Sequence, residues 1–529
     1  MNRSAGQLAL LSAIFLLFCT RIFCATLLPL TDPSEARFAR MAQRMLELDD
    51  WTIPRIDLKQ LPDEPYLSKP PFQVWLVAGV LNSLGSSDWA VRIPSLVEAC
   101  LTLILCWGFG RAYLGTNGAF LGTLILASSL GFFLLSAGLT TDIALCAEVS
   151  LALVLFYCAT QMHPAHRVFS LFGCGAALGM GLLTKGPVAL ILFLVICGLW
   201  TLIRRRTWPL SLVQSAIIFV TALALALPWY LSAELRVPGF LRYFLIDENI
   251  LRFLTHDAGV RYGSVKSRPY GTIWILLLAM MLPWSIGLVR SFIGRNRALV
   301  IKSVRDSDLL SFLLAWGLGS AVFFTFARNV LPTYVLPSLP GWALLYAGLA
   351  EQRSPAWYDM HCRRASLWAI AVLWFLVLSI YGLQCWPYLG CAGALLLIAL
   401  AIREKQPAAA ASLLWGLLWG SLLMALPLIS EGRASSAELW HYLKRTAAAG
   451  EIDGVVGKPV RSLEFYAAGS ASKKLRFVFD IVPESVEQRQ LLRIIARKGD
   501  GDLMPAWVTA KFEPEARVGE WLVFRRKSL

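Results

Sequence analysis

Ionisable residues inside or beside long apolar runs are the first place to look for chemistry. Asp142 opens an apolar run in GLTTDIALCAEVS, and Lys185 stands between two apolar runs in LLTKGPVAL. Charge at membrane depth is costly, so both are functional suspects. A helix-start acid and a snorkelling lysine are the structural alternatives. Glu148 lies deeper in the first run, where pairing within a bundle would account for it. FLIDENILRFLTHD gathers Asp247, Glu248, Arg252 and His256 into one helical stretch. Glu248 and Arg252 are spaced i, i+4, which also suits a surface ion pair. Arg268 follows, and ARNVLPTYVLP carries Arg328, Asn329 and Tyr334. In LTDPSEARFARMAQRMLELDDW, Asp32 as N-cap, Pro33 at the first helical position and Glu35 at the third would start a helix. Capping therefore competes with chemistry as the role of Asp32 and Glu35. The helix shows an apolar face of Phe38, Met41, Met45 and Leu48, expected to lie on a membrane surface with Trp51 as anchor.

A few carboxylates and several cations beside a membrane suit a phosphate carried on a lipid. Lys and Arg bind the phosphate. A carboxylate takes the acceptor's proton or stabilises an oxocarbenium-like sugar. Nucleotide routes fit poorly, because neither G-x-x-x-x-G-K-[ST] nor G-x-G-x-x-G after a strand occurs. Cysteines offer no zinc spacing: all eleven fall between Cys19 and Cys391, mostly in apolar runs, and none forms C-x-x-C. A Cys385–Cys391 bridge has no support in the sequence.

The elements that must hold these residues follow from composition. The chain has 529 residues, 57% hydrophobic and 16% charged, with mean hydropathy +0.60. That excludes a disordered, collagenous or small disulfide-stapled protein. Apolar runs near 8–28, 91–110, 117–137, 142–160, 167–183, 187–203, 208–231, 270–289, 309–327, 331–350, 365–384, 387–402 and 408–428 predict about thirteen transmembrane helices. With a cytoplasmic N-terminus, Arg111, Arg167, Arg204 to Arg206 and Arg290 to Arg305 fall on inside loops. The net charge of +15 then reads largely as orientation, and no nucleic-acid partner is required. Three polar stretches fall outside: 29–90, 232–269 and 430–529. The piece EPYLSKPPFQVWLVAGVLNSLG is too short and proline-rich to cross. The tail has soluble composition and predicts a small α/β domain. SSAELWHYLKR and EQRQLLRIIARK have helical periodicity, while LRFVFDIV, WVTAKFE and WLVFRR read as strands.

Several of these pieces together resemble one family. DPSEARFARMAQRML with DWTIPR, YLSKPPFQVWL, SDWAVRIPS, LTTDIAL, GLLTKGPVAL, ENILRF and LPTYVLP with PSLPG occur in order over most of residues 25–345. They are similar to the bacterial aminoarabinose transferase and protein O-mannosyltransferase superfamily of GT-C glycosyltransferases. The resemblance implies an inverting transfer from a polyprenyl-phosphate sugar. It places the reaction at the periplasmic face of the bacterial inner membrane, with lipid A, another glycan or lipid, or a protein as acceptor. It carries over Glu35 and Arg37 from the first-loop motif, Tyr66 and Lys69 from Tyr-x-x-Lys-Pro, and Asp142 from the fourth helix. Lys185 and Arg252 would bind donor phosphate, and Tyr334 matches the Pro-Thr-Tyr element. Two positions depart from the aminoarabinose enzymes. Ser34 replaces an Asp, which shifts attention to Asp32 or Glu35. Ser68 replaces a Glu, which weakens any metal site there.

The sequence therefore predicts a polytopic α-helical GT-C protein with a transferase domain at 1–429 and a periplasmic α/β domain at 430–529. Asp32, Glu35 and Asp142 are the candidate acids; Arg37, Tyr66, Lys69, Lys185, Arg252 and Tyr334 are the donor-phosphate candidates. Glu248, His256, Arg268 and Arg328 are further candidates. A divalent metal is left open. The partners are the lipid-phosphate donor, the acceptor and membrane lipids around a monomer. The alternative is a polytopic transporter or lipid flippase, but no inverted repeat is visible and the charges cluster at one face. A noncatalytic scaffold built around the tail is a third reading.

Overall fold

The computed structural model describes residues 3–31, 34–58, 61–254, 268–293, 297–351, 386–402, 407–429, 436–446, 452–456, 461–468, 474–478, 493–497, 511–518 and 521–527. Asp32, His256, the run expected at 365–384 and Cys385 fall outside these. The chain divides into two compact units. The first comprises residues 1–25, 67–73 and 92–423; the second comprises 26–66, 74–91 and 424–529.

The first unit is helical. Among the described residues, six helices are long and apolar enough to cross a membrane, or eight elements if two bent pairs each count as one span. Their interfaces hold small residues that let backbones approach. A Cβ on Gly175 would lie 2.5 Å from the carbonyl oxygen of Ile218 on the neighbouring helix. Two expected spans are not single helices. The run at 117–137 is Gly115–Ser128 followed by Leu130–Leu135, with Ser129 extended between them. Trp419 donates to the freed Ser128 carbonyl at 3.1 Å, and Trp284 donates to the Ser128 hydroxyl at 3.0 Å. The run at 270–289 is Thr272–Met280 and Trp284–Ile293, bent by 119°. Pro283 at the bend cannot donate a helical N–H.

The second unit corrects the sequence in three places. The helix Ser34–Leu48 forms as expected, but it does not present one free face to a membrane surface. Glu35, Arg40 and Gln43 are buried along with Phe38, Met41 and Met45. Gln43 donates to the Phe465 carbonyl at 3.2 Å and to Ser86 at 3.3 Å. Arg40 pairs with Glu47 at 2.7 Å. The helix is thus docked by polar contacts that a periodicity argument does not see. Secondly, the described part of EQRQLLRIIARK is strand where helix was expected. Arg493–Arg497 is a central strand of a five-stranded sheet in the order 474–478, 452–456, 493–497, 521–526, 512–518. Parallel pairing joins the first three strands, and antiparallel pairing joins the rest. Ile494 and Ile495 are both buried, and Ile495 packs with Leu439, Leu443, Leu463 and Val523. Adjacent β-branched residues suit a strand covered on both faces. Thirdly, the strand expected at WVTAKFE begins at Phe512 and runs to Val518. Strand Ile452–Val456 and helix Arg461–Ala468 were not foreseen. Helix Ala437–Thr446 and strands Lys474–Val478 and Trp521–Arg526 form where the sequence put them.

Candidate functional site

A cavity of about 580 Å³ in the first unit brings together three of the candidate cations, Lys69, Lys185 and Arg252. Its wall includes Lys69, Lys185, Glu248, Arg252, Asn329 and Tyr334. Phe253, Phe323, Phe324, Ile191, Leu245 and Ile250 supply its apolar lining. A charged end joined to an apolar wall matches the two halves of a lipid phosphate.

Each polar group is placed by a local feature of the backbone. Asp142 lies in the first turn of the helix Thr141–Gln161, where its charge faces the positive end of the dipole. Lys185 is the last residue of the helix Pro164–Lys185, at the negative end. The two side chains form an ion pair, and the Lys185 ammonium also lies over the Tyr334 ring, 4.3 Å from its centroid. Gly186 follows with φ +76°. A Cβ there would come within 2.5 Å of the Phe244 ring, so only glycine permits this approach. The approach brings the end of the Lys185 helix against the segment bearing Glu248.

That segment, Tyr243–Leu251, is a π-helix in which Asn249 donates its side-chain amide to the Phe244 carbonyl at 2.6 Å. Such wide turns recur at functional sites. Glu248 and Arg252 do pair, but the expectation of a surface ion pair fails. The Glu248 side chain is only 4% exposed and also accepts from Lys69 at 3.1 Å and from the Ser68 hydroxyl at 2.5 Å. Burial opposes its ionisation, yet Lys69 and Arg252 outweigh that and hold the carboxyl below the ordinary glutamate value. Lys69 donates further to the Ser68 carbonyl at 2.8 Å. Among the described residues Glu148 has no ion-pair partner; it accepts from the Thr184 hydroxyl, beside Lys185.

The other candidates lie elsewhere. Arg328 stacks on Tyr270 at 4.3 Å and its carbonyl accepts from the Arg268 amide at 2.8 Å; neither arginine is part of the cavity wall. In the second unit, Glu35 accepts from the Thr31 amide at 2.9 Å and the Thr31 hydroxyl at 3.0 Å. Arg37 reaches Ser34 at 3.4 Å and lies 5.8 Å from the centroid of the buried Tyr66 ring. Sequence reasoning missed the tie between Ser68 and Glu248, although the Ser68 departure marked the position. The apolar wall was also missed, since its residues look like any other membrane-facing side chains. Among the described residues no group of three His, Cys, Asp or Glu side chains could hold a metal ion. Glu248 in the cavity wall is already engaged by Lys69 and Arg252, and Ser68 adds no carboxylate, so these residues do not fit a divalent metal.

The multi-helix body with its small sheet-bearing unit is a fold of the GT-C type. Its likeness is to the aminoarabinose branch. The crystal structure of ArnT from Cupriavidus metallidurans bound to undecaprenyl phosphate matches 99% of this chain and 98% of its own, with TM-score 0.75 and 20% identity. The family model for dolichyl-phosphate-mannose-protein mannosyltransferase matches residues 68–231. Undecaprenyl phosphate-alpha-4-amino-4-deoxy-L-arabinose arabinosyl transferases are similar in sequence. That of Serratia proteamaculans is 29% identical over 66% of this chain, and one from Pseudomonas aeruginosa strain PAO1 is 31% identical over 61%. The chain spans 60% and 56% of the length of those two relatives. The resemblance seen in the motifs is borne out.

Proposed function

We propose that this protein is a glycosyltransferase that moves a sugar from a polyprenyl-phosphate donor to an acceptor at the periplasmic face of the inner membrane. The observation that carries the reading is the single cavity joining Lys69, Lys185, Arg252 and Tyr334 to an apolar wall. A lipid phosphate would seat its charge among the three cations and its first isoprene units against Phe253, Phe323 and Phe324. The acceptor's nucleophile attacks the anomeric carbon as the bond from that carbon to the phosphate oxygen breaks. The polyprenyl phosphate leaves with the electron pair, and its added negative charge is met by the cations. Asp142 is the proposed base that takes the acceptor's proton. Attack opposite the leaving phosphate inverts the anomeric centre. An aminoarabinosyl donor and a lipid A acceptor are proposed from the relatives' names and the motif resemblance. Glu35, Arg37 and Tyr66 are proposed to contribute from the first loop. Residues 1–429 would form the transferase and 430–529 an accessory periplasmic domain, with about thirteen spans and the N-terminus cytoplasmic.

The test is transfer by the purified protein from undecaprenyl-phosphate aminoarabinose to lipid A, followed by mass spectrometry. Product should form with wild type and collapse in folded Asp142→Asn and Lys185→Ala. Full product with both variants would end this assignment, and product only with another acceptor would relocate it within the class.

A further inference from the structure

We propose that Glu248 is a positioning residue whose buried carboxylate, anchored by Ser68, presets Lys69 and Arg252 as a pair facing the phosphate. This rests on the reading of the cavity as a lipid-phosphate site. Three donors meet one oxygen of Glu248: the Ser68 hydroxyl, the Lys69 ammonium and the Arg252 guanidinium. The carboxylate lines the same cavity as the two cations and is the most buried of the three groups. The Glu248 side chain is 4% exposed, against 22% for Lys69 and 25% for Arg252.

Two cations brought to one phosphate repel each other, and their long stems lose rotamer freedom when fixed. A carboxylate held between them offsets both costs before the ligand arrives. Ammonium carries three donors and guanidinium five, so bonding to Glu248 leaves donors on each for a phosphate. Ser68 makes the carboxylate itself a fixed point, since it holds the shared oxygen from a different chain segment, 180 residues away. The opposite reading is that Glu248 competes with phosphate for the same cations. The two readings differ in sign, because removing a competitor tightens binding and removing a positioner weakens it.

Binding of undecaprenyl phosphate to the purified full-length protein separates them. With positioning, Glu248→Gln weakens binding about tenfold, the size of one charge-assisted contact. Ser68→Ala leaves every charge in place and should weaken binding in the same direction by a smaller factor. Because the effect passes through Lys69, Glu248→Gln should cost less in a Lys69→Ala background, a coupling that a purely structural residue would not show. Binding by Glu248→Gln as tight as wild type or tighter, or an undiminished effect in the Lys69→Ala background, overturns the proposal. Failure of wild type to bind the lipid phosphate would instead remove the cavity reading, and this inference with it.

Discussion

Replacing Lys185 with alanine is the sharpest single perturbation, because this one side chain serves three contacts. It pairs with Asp142, lies over Tyr334 and lines the cavity. A charge-assisted contact to phosphate contributes about 1.5–3 kcal/mol, or roughly 10- to 100-fold in donor kcat/KM. The stability cost has a separate source. The side chains of Lys185 and Asp142 are 10% and 12% exposed, so the variant leaves a largely buried carboxylate without its cation. Deleting one partner of a fully buried pair costs about 3–5 kcal/mol, and the partial exposure of this pair should reduce that to about 1–3 kcal/mol. Asp142→Asn provides the contrast. The amide keeps the shape but cannot accept a proton, so kcat should fall about 100-fold or more. Steady-state transfer kinetics with varied donor, on protein checked by size exclusion and thermal melting, would read both effects. A folded Lys185→Ala enzyme with wild-type kcat/KM refutes the phosphate role. A folded Asp142→Asn enzyme within about twofold of wild-type kcat refutes the base.

Gly186→Ala should be more damaging than its size suggests, since φ +76° and the Phe244 ring both exclude a Cβ; lowered melting temperature with lost transfer is expected, and unchanged values would contradict the close approach. Truncation at residue 430 removes the Phe465 carbonyl that Gln43 bonds and the Tyr466 hydroxyl that bonds Asp88 at 3.0 Å. Limited proteolysis should then cut within 29–90 faster than in the full chain. Acid stability follows from Glu248, whose folded-state carboxyl lies below the ordinary value of 4.5. A lowered value means the stabilisation is complete above about pH 4.5 and is lost as pH falls through the folded value. Wild type should therefore lose melting temperature on acidification through that range by a component that Glu248→Gln lacks.

Much of the fold was legible because hydropathy and helix length are local quantities. A run such as 142–160 must become a helix in lipid, where no other partner satisfies its backbone, and the helix Thr141–Gln161 follows. Asp142 and Lys185 were legible for the same reason, being charges where charge is costly. The breaks at Ser129 and Pro283 were less so, because the first depends on Trp419 from a distant helix. EQRQLLRIIARK has helical periodicity, yet Arg493–Arg497 is a strand because its isoleucines meet the sheet core, a contact that periodicity does not report. Glu35 allowed a cap or a chemical role in the sequence, and its carboxylate accepts from the Thr31 amide and hydroxyl. The sequence by itself determined a many-helix membrane protein of GT-C resemblance and the residue types that its chemistry requires. Only the tertiary structure decided that Lys69, Lys185, Arg252 and Tyr334 share one cavity and that Glu248 pairs with two of them. Periodicity reports which face of an element is apolar; which distant charges come to share one carboxylate depends on how the helices pack.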